Sequence, residues 1–415
     1  MNGGLIIFIV AILMVVMIHE AGHFLMAKLF NFKATKFFLG FGPTIWSFKR
    51  GETEYGIKAL PLGGFVKIVG MNPYEEIDPE DESRSYANKP RWQRALVLLG
   101  GPATHWPLAF LILLVLAMSV GFPTGNVSNE IQAVDVIGSE TESPALSAGI
   151  EPGDRIVGID GRRTEEWRDI RAFIRSNPGE EVHFIVERDG REREVGVELG
   201  QAIFNAEGAL VDYAPPGETL RSLEPGEESA GFLGVSPKEV YEKESLIPAA
   251  GTAATITWDF TVQSVKGAGA ILAMPFDGEL WSAMTADGER EVGEGPIGIV
   301  GASRIASGSF AAGRFLELMG LIAGFTVFVG LMNLLPLPPL DGGHLAVLVF
   351  EEIKLVPDLL KLRSNPLAMA EPGFANHPVD IRKLIPLAAA VISFFVVLFI
   401  AVLYLDLARP IKVPF

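Results

Sequence analysis

The sequence predicts a polytopic α-helical membrane protein with about four transmembrane helices, a membrane-associated β-hairpin region and one inserted α/β domain. The chain of 415 residues is 49% hydrophobic, and its mean hydropathy of +0.33 is too high for an ordinary soluble enzyme of this length. Four segments contain the roughly 20 apolar residues that are needed to cross a hydrocarbon core. The residues between the second and third segments are mixed and charged, which indicates a folded aqueous domain.

These features divide the chain into eight segments. The transmembrane segments are predicted at 1–30, 95–121, 315–345 and 384–415, with apolar cores at Leu5–Phe30, Ala95–Gly121, Phe315–Leu337 and Leu384–Leu407. The other segments are a β region at 31–94, the inserted domain at 122–200, a region after that domain at 201–314 that is expected to associate with the membrane, and a connection at 346–383.

Charge and cysteine content restrict the partners and cross-links of the chain. The formal net charge of −16 argues against a nucleic-acid partner, because binding phosphates requires a basic surface. The sequence contains no cysteine, so disulfides are excluded. The first apolar segment lacks the basic n-region and small-residue cleavage site of a secretory signal peptide, and we expect it to be retained as a transmembrane helix.

The positions of lysine and arginine beside the spans predict the orientation, because cytoplasmic connections carry an excess of these residues. No basic residue precedes the first span. The connection after it carries Lys28, Lys33, Lys36, Lys49, Arg50, Lys58, Lys67, Lys89, Arg91 and Arg94. The connection at 346–383 carries Lys354, Lys361, Arg363, Arg382 and Lys383. Both connections are therefore expected in the cytoplasm, with the inserted domain and both termini outside.

A polar trio interrupts the first apolar segment, IFIVAILMVVMIHEAGHFLMAKLF (7–30). His19 and His23 are four residues apart, so a helix places them on one face, about 5–6 Å apart, where both can bind one zinc ion. Glu20 follows the first histidine and can reach a water molecule on that metal as a general base. Because ionisable groups inside a span are costly and usually mark function, the trio predicts a zinc site that needs a third protein ligand.

The stretch GLMNLLPLPPLDGGHL (330–345), which closes the third apolar segment, offers that ligand. Asp341 is a charged oxygen donor beside prolines and glycines that break a helix, and broken helices at membrane depth occur where they line a cavity. The alternative is that Asp341 caps a helix that begins near His344. Asn333 lies in the same stretch, and its amide is a candidate to bind a developing oxyanion or the substrate backbone.

Three motifs together resemble the site-2 protease family of zinc intramembrane metalloproteases, and within it the bacterial regulator-of-sigma-E proteases. They are HEAGH in the first span, NLLPLPPLDGGH in a later span and LPLGGFVKIVGM between them. The resemblance covers nearly the whole chain, and the combination is specific although each motif alone is less so. It implies that Zn²⁺ is bound by His19, His23 and Asp341. It also implies that Glu20 is the catalytic base and that Asn333 helps to hold the substrate or the transition state.

The β region contains TIWSFKRGETEYGIKALPLGGFVKIVGM (44–71), which is predicted to form short strands. Alternating apolar residues flank the turn KRGET, and a proline and two glycines punctuate the second half. An exposed strand edge can pair with an extended peptide, and proteolysis requires an extended substrate because a helix buries its carbonyls in hydrogen bonds. The region is expected either to receive an unwound substrate or to be a hairpin that only covers the site.

The second span departs from the pattern of the family. It opens LLGGPATHWPLAF, and His105 stands where the family more often has the asparagine of a Gly-Pro-x-x-Asn pattern. Three roles remain open for His105. It is a buried polar side chain satisfied by hydrogen bonds, a histidine that perturbs the pH dependence of the site, or a further zinc ligand, which is the least favoured role.

The insert is predicted to alternate short strands with an amphipathic segment at 165–175. Residues 131–199 resemble a single PDZ domain of the bacterial kind, which binds peptide ends or strands by adding an edge strand. Peptide binding and steric exclusion of substrates with large outer domains both remain open. The weakly amphipathic segment 248–272 is expected either to lie on the outer membrane surface or to pack as a helix of the insert.

The sequence therefore predicts a zinc-dependent intramembrane endopeptidase of a bacterial inner membrane, surrounded by the lipid bilayer, with its active site near the cytoplasmic side. By resemblance, its substrate is a single-pass membrane protein such as an anti-sigma factor already shortened on the outside, or a remnant signal peptide. The alternatives are a non-catalytic scaffold that displays a PDZ domain and a zinc transporter. Both alternatives predict that Glu20→Gln leaves the function intact, whereas the protease hypothesis predicts its loss.

Overall fold

The computed structural model describes residues 3–72, 74–134, 143–206, 208, 210–286, 288, 290, 295–364 and 384–412. The chain forms two compact units, a smaller one at Val120–Lys243 and a larger one made of Met1–Ser119 with Glu244–Phe415. Two parts of the predicted organisation lie outside the described residues. They are 135–142 of the insert and 365–383 of the second basic connection, with Arg382 and Lys383.

The larger unit is mainly helical. Its helices are α1 (Gly3–Leu29), α2 (Arg91–Ala103), α3 (His105–Ser119), α6 (Leu246–Asp277), α7 (Glu279–Thr285), α8 (Ile299–Ala311), α9 (Phe315–Asn333), α10 (Asp341–Ser364) and α11 (Ile385–Ala408), and its strands are β1 (Ala34–Arg50) and β2 (Thr53–Ile68). Four helical segments among the described residues are long and apolar enough to cross a membrane: Gly3–Leu29, Arg91–Ser119, Phe315–Asn333 and Ile385–Ala408. The structure therefore confirms the prediction of four candidate spans and of a β region between the first two.

The second predicted span, 95–121, is divided into two helices. Thr104 separates α2 from α3, and Pro107 cannot donate a backbone hydrogen bond to the preceding turn. Both the amide and the hydroxyl of Thr104 bond the carbonyl of Gly101, at 3.0 and 2.7 Å. The interruption makes His105 the first residue of α3, where its side chain is only 1% exposed.

Glycines allow α1 and α2 to approach each other closely. A Cβ atom on Gly22 would overlap the carbonyl of Gly100, and a Cβ atom on Gly101 would overlap the imidazole of His23. Small residues let helix backbones come together in membranes. The glycines therefore bring α2 against the face of α1 that carries the histidine pair.

The third predicted span, 315–345, is also interrupted. α9 ends at Asn333 and α10 begins at Asp341, because the prolines between them have no N–H group to continue a helix. The Pro338–Pro339 peptide bond in this connection is cis. A Cβ atom on Gly342 would overlap the backbone of the connection, so glycine is required there. Asn333 and Asp341 consequently stand at the two ends of one short turn.

β1 and β2 form an antiparallel sheet in which each long strand bends and pairs with more than one part of the other strand. Residues 34–39 lie between residues 64–68 and residues 54–57, and the latter also pair with residues 44–50. Gly40 has a φ of +86°, which favours glycine, at the bend of the long β1 strand. Residues 64–68 therefore form an outer strand of this sheet.

Helix α6 packs along α3 and α9 rather than within the insert. Its buried face consists mostly of small side chains, such as Ala249, Ala253 and Ala268. The indole N–H of Trp106 donates to the hydroxyl of Thr261 at 3.0 Å and joins α3 to α6. The prediction that this segment could be a helix of the insert is wrong, because α6 belongs to the unit that contains the candidate spans.

The smaller unit is an α/β structure. Its elements are β3 (Phe122–Val134), α4 (Pro144–Ser147), β4 (Arg155–Ile159), β5 (Arg162–Arg163), α5 (Trp167–Ser176), β6 (Glu181–Arg188), β7 (Arg191–Glu198), β8 (Gly200–Phe204), β9 (Leu210–Ala214), β10 (Glu228–Phe232) and β11 (Val235–Glu242). One sheet has the strand order β11-β3-β4-β6-β7 with β5 paired to β4, and a second has the order β10-β8-β9. Ile156, Ile170 and Phe184 lie in its core. The unit continues to Lys243, beyond the boundary at residue 200 that the sequence suggested.

Candidate active site

Two histidines and one aspartate converge in the larger unit. His19 and His23 occupy consecutive turns of α1, and both are 8% exposed. Their Nε2 atoms are 3.1 Å apart. Oδ2 of Asp341, at the start of α10, lies 3.2 Å from Nε2 of His19 and 3.4 Å from Nε2 of His23. The fold thus brings together the three residues that the sequence predicted as metal ligands.

The spacing of these three atoms fits a zinc ion. Tetrahedral zinc binds nitrogen and oxygen at 2.0–2.1 Å, which places neighbouring ligand atoms about 3.3 Å apart. Nδ1 of His23 lies 2.7 Å from the carbonyl of Val97, and a carbonyl only accepts, so Nδ1 carries the proton. Nε2 of the neutral ring therefore presents a lone pair. Two imidazole nitrogens and a carboxylate oxygen also form a donor set that catalytic zinc accepts.

Asp341 faces the histidines instead of capping a later helix. α10 begins at Asp341 itself and not near His344. His344 lies away from the three converging atoms, in a depression lined by residues of β2 and by Met71 and Glu75. The alternative role of Asp341 as a cap of a helix starting near His344 is therefore not what the fold shows.

Glu20 is held at the border between α1 and β2. Its Oε2 accepts a hydrogen bond of 3.0 Å from the backbone amide of Val66, which lies in the outer strand of the sheet. Glu20 also lines a cavity of about 320 Å³ together with the two histidines and Asp341. A carboxylate in this position has one oxygen fixed by the strand and stands beside the predicted metal position.

Asn333 lines the same cavity from the end of α9. Val66 and Ile68 of β2 form another wall. All five residues that the sequence singled out as catalytic or metal-binding therefore border one cavity, although they come from α1, from the end of α9 and from the start of α10.

His105 is in direct contact with His19. Its Nε2 is 3.0 Å from Nδ1 of His19, on the side of that ring opposite Nε2. His105 is not part of the group of converging ligand atoms, which consists of His19, His23 and Asp341. Among the three roles that the sequence left open, the geometry excludes direct binding of His105 to the ion that those three would share.

Several groups that shape the site could not be found from the sequence. The amide of Val66 and the carbonyl of Val97 act through the backbone, and a backbone contact has no signature in residue type. The glycine pair at Gly100 and Gly101 is a signal that sequence reasoning missed, because adjacent small residues in a span often mark close helix packing.

Comparison with known proteins gives a consistent result over nearly the whole chain. The model of peptidase family M50 matches residues 7–370. Zinc metalloprotease Rip1 of Mycobacterium tuberculosis is 32% identical over 431 residues, which cover 99% of this chain and 98% of that protein. Rip1 of Mycolicibacterium smegmatis is 31% identical over 428 residues, with the same coverage. Zinc metalloprotease RasP of Geobacillus kaustophilus is 27% identical over 429 residues, covering 85% of this chain and 90% of that protein.

Proposed function

This chain belongs to peptidase family M50, the site-2 protease family, and is a zinc-dependent intramembrane protease; from this premise we propose that the buried cluster of the larger unit is its active site. In the proposal, the zinc ligands are His19, His23 and Asp341. Glu20 is the general base, and Asn333 assists the transition state. The observation that carries the assignment is the convergence of three ligand atoms within 3.1–3.4 Å of one another.

The mechanism follows from the positions of these side chains. When bound, zinc polarises the scissile carbonyl and lowers the pKa of water. Glu20 takes the proton of the attacking water on its free carboxylate oxygen and then delivers a proton to the leaving amine. The amide of Val66 fixes the other oxygen of Glu20. The side-chain amide of Asn333 donates a hydrogen bond to the negative charge that develops on the carbonyl oxygen.

The outer strand of the hairpin sheet is the proposed docking edge for the substrate. Residues 64–68 pair with residues 34–39 on one side, and Val66 and Ile68 line the cavity. An extended peptide can add to an open strand edge through main-chain hydrogen bonds. This arrangement supports substrate presentation by β2 over a hairpin that only covers the site, because the amide of Val66 faces Glu20.

The test is cleavage of a model transmembrane substrate by purified protein, comparing wild type, Glu20→Gln and Glu317→Gln, with zinc content measured for each. Glu317 is a matched control because it stands at the opposite end of α9 from Asn333 and pairs with Arg314. We expect Glu20→Gln to lose about 10²–10⁴-fold in rate while it keeps its zinc, and Glu317→Gln to cleave normally. A strong chelator should abolish cleavage and added zinc should restore it. Cleavage by Glu20→Gln at the wild-type rate would remove the assignment of Glu20.

The proposed substrates are single-pass membrane proteins, such as an anti-sigma factor already shortened on the outside, or remnant signal peptides. The resemblance to regulator-of-sigma-E proteases supports the first class. Two model substrates with the same transmembrane segment, one with and one without a folded outer domain, distinguish the requirement for prior shortening. Equal cleavage of both would contradict it.

The smaller unit is proposed to be a PDZ-like domain that binds extended peptide. A groove of about 380 Å³ lies between α5, which contributes Trp167 and Arg171, and the segment from Leu233 to Val235 that joins β10 to β11. In the described chain β11 pairs only with β3, so it offers an edge for strand addition. Arg171→Glu in the full-length protein should weaken binding of acidic peptides measured by fluorescence anisotropy, and unchanged binding would contradict the proposed groove.

The proposed orientation places the first basic connection inside the cell and the smaller unit outside, in a bacterial inner membrane. The distribution of basic residues supports this assignment. Because the chain has no cysteine, single-cysteine variants are specific reporters. Glu165→Cys in the smaller unit should react with an impermeant thiol reagent on intact cells, whereas Glu76→Cys in the connection should react only after the membrane is opened. The reverse result would invert the orientation.

A further inference from the structure

His105 is enclosed beside His19 by three elements of the larger unit. It begins α3 and is 1% exposed. A Cβ atom on Gly330 of α9 would collide with its ring, so α9 packs directly on the imidazole. Its Nε2 lies 3.0 Å from Nδ1 of His19 on α1. The ring is thus held by packing on one side and by a hydrogen bond on the other.

The hydrogen bond between the two rings has two possible directions, and zinc binding selects one of them. For Nε2 of His19 to bind a cation together with His23 and Asp341, it must carry a lone pair. The single proton of the neutral ring then lies on Nδ1, which donates to Nε2 of His105. In the opposite direction His105 would donate, and Nε2 of His19 would be protonated and unable to bind metal.

The burial of His105 is consistent with this assignment. With Nε2 as the acceptor, its own proton lies on Nδ1. The backbone of Thr326 lies beside the ring, yet Nδ1 has no partner of normal hydrogen-bond geometry. His23 needs no side chain to accept from its Nδ1, because the carbonyl of Val97 accepts that hydrogen bond at 2.7 Å.

We infer that His105 is a positioning residue that fixes the tautomer and ring orientation of His19 for metal binding. This inference rests on the proposed zinc site. It gives a specific role to His105, the residue at which this chain differs from the Gly-Pro-x-x-Asn pattern of the family. Partners of this kind, which accept from the second nitrogen of a ligating histidine, contribute about 10–100-fold to metal affinity.

The experiment measures the zinc dissociation constant by competition with a chelator for wild type, His105→Gln, His105→Asn and His105→Leu. Glutamine places its oxygen as many bonds from Cβ as Nε2 of histidine, whereas the oxygen of asparagine corresponds to Nδ1 and falls short of His19. We expect His105→Gln to bind zinc within about threefold of wild type, and the asparagine and leucine variants to bind about 10–100-fold more weakly.

A second measurement separates positioning from folding. Thermal unfolding of the zinc-free proteins should show one cooperative transition for each of the three variants, so that a loss of zinc affinity is measured on folded protein. Zinc affinities of the asparagine or leucine variant equal to that of wild type would overturn the inference, and so would weak binding by His105→Gln. If wild-type protein binds no zinc, or if His23→Ala binds as well as wild type, the proposed zinc site itself fails.

Discussion

The carboxylate of Glu20 accepts a hydrogen bond of 3.0 Å from the backbone amide of Val66 and so joins the first helix to the outer strand of the hairpin sheet. The two residues are 46 positions apart in the chain. A strand that adds to this edge would pass directly beside the proposed base. One contact therefore couples the placement of the catalytic carboxylate to the placement of the substrate backbone.

Substituting Val66 by proline tests this coupling. Proline removes the amide donor but not the pairing with residues 34–39, because the amide of Val66 points to Glu20 and edge strands tolerate proline. A hydrogen bond to a charged group contributes about 1.5–3 kcal/mol, so we expect cleavage to fall roughly 10–100-fold with unchanged zinc content. Val66→Ala keeps the amide and should cleave at nearly the wild-type rate. Equal activity of the two variants would disprove the coupling.

Substituting Gly101 by alanine tests the approach of α2 to the histidine pair. The added Cβ atom would overlap the ring of His23, and we expect zinc affinity to fall by at least tenfold although alanine is the better helix former. Gly320→Ala in α9 is the control, because no atom outside its own stretch of helix backbone lies within 4 Å of the Cβ position. That variant should bind zinc normally and be stabilised by up to about 1 kcal/mol. Chelator competition and thermal unfolding measure both effects.

Removing the carboxylate of Asp406 should destabilise the end of α11. Asp406 and Arg290 are 0% and 1% exposed, and their Oδ1 and Nη2 atoms are 2.8 Å apart. The amide of Gly301 donates to Oδ2 at 2.8 Å. Breaking a buried pair by removing one partner costs about 3–5 kcal/mol, so Asp406→Asn should lower the unfolding temperature clearly. Asp259→Asn, on the exposed face of α6, should change the free energy of unfolding by less than about 0.5 kcal/mol.

The turn of the hairpin predicts a stability that depends on acid pH. Two hydrogen bonds from Arg84, at 2.7 and 2.9 Å, and an ion pair with Lys28 lower the pKa of Glu52 from 4.5 to about 2. A lowered pKa in the folded state means that the stabilisation is complete above about pH 5 and is lost as the pH falls from 4.5 towards 2.

The measurement compares the unfolding temperatures of wild type and Glu52→Gln between pH 7 and pH 3. Glu52→Gln should unfold roughly 2–4 °C below wild type at neutral pH if the network contributes about 1 kcal/mol. That difference should shrink as the pH falls. Glu76→Gln, at an exposed position of the same connection, should match wild type throughout. A difference that stays constant with pH would show that the carboxylate charge is not responsible.

The sequence was sufficient for features that depend on local spacing. An apolar run of sufficient length predicts a candidate span, and the positions i and i+4 predict that His19 and His23 share a face of α1. These inferences hold because helix periodicity and membrane thickness constrain short segments directly. The ends of helices were less predictable, since Thr104 interrupts one predicted span and the proline-rich turn after Asn333 interrupts another.

The sequence did not determine the contacts between distant segments. His19 and His105 are 86 residues apart, and His23 and Val97 are 74 apart. The contact between His19 and His105 joins two side chains, and that between His23 and Val97 involves a backbone carbonyl. Neither contact follows from a regular spacing that could be recognised in a single sequence. α6 illustrates the same limit, because its weak amphipathic pattern allowed several placements until packing with α3 and α9 chose one.

By itself, the sequence identified the residue types that the chemistry needs: two histidines, a glutamate, an aspartate and an asparagine in apolar surroundings. The tertiary structure alone decided that they border one cavity, which nitrogen of each histidine faces it, and which strand edge lies beside the glutamate. The physical reason is that chemical type and helix period are local properties, whereas the close packing of α1, α2 and β2 depends on glycines and backbone groups whose partners are set only by the whole fold.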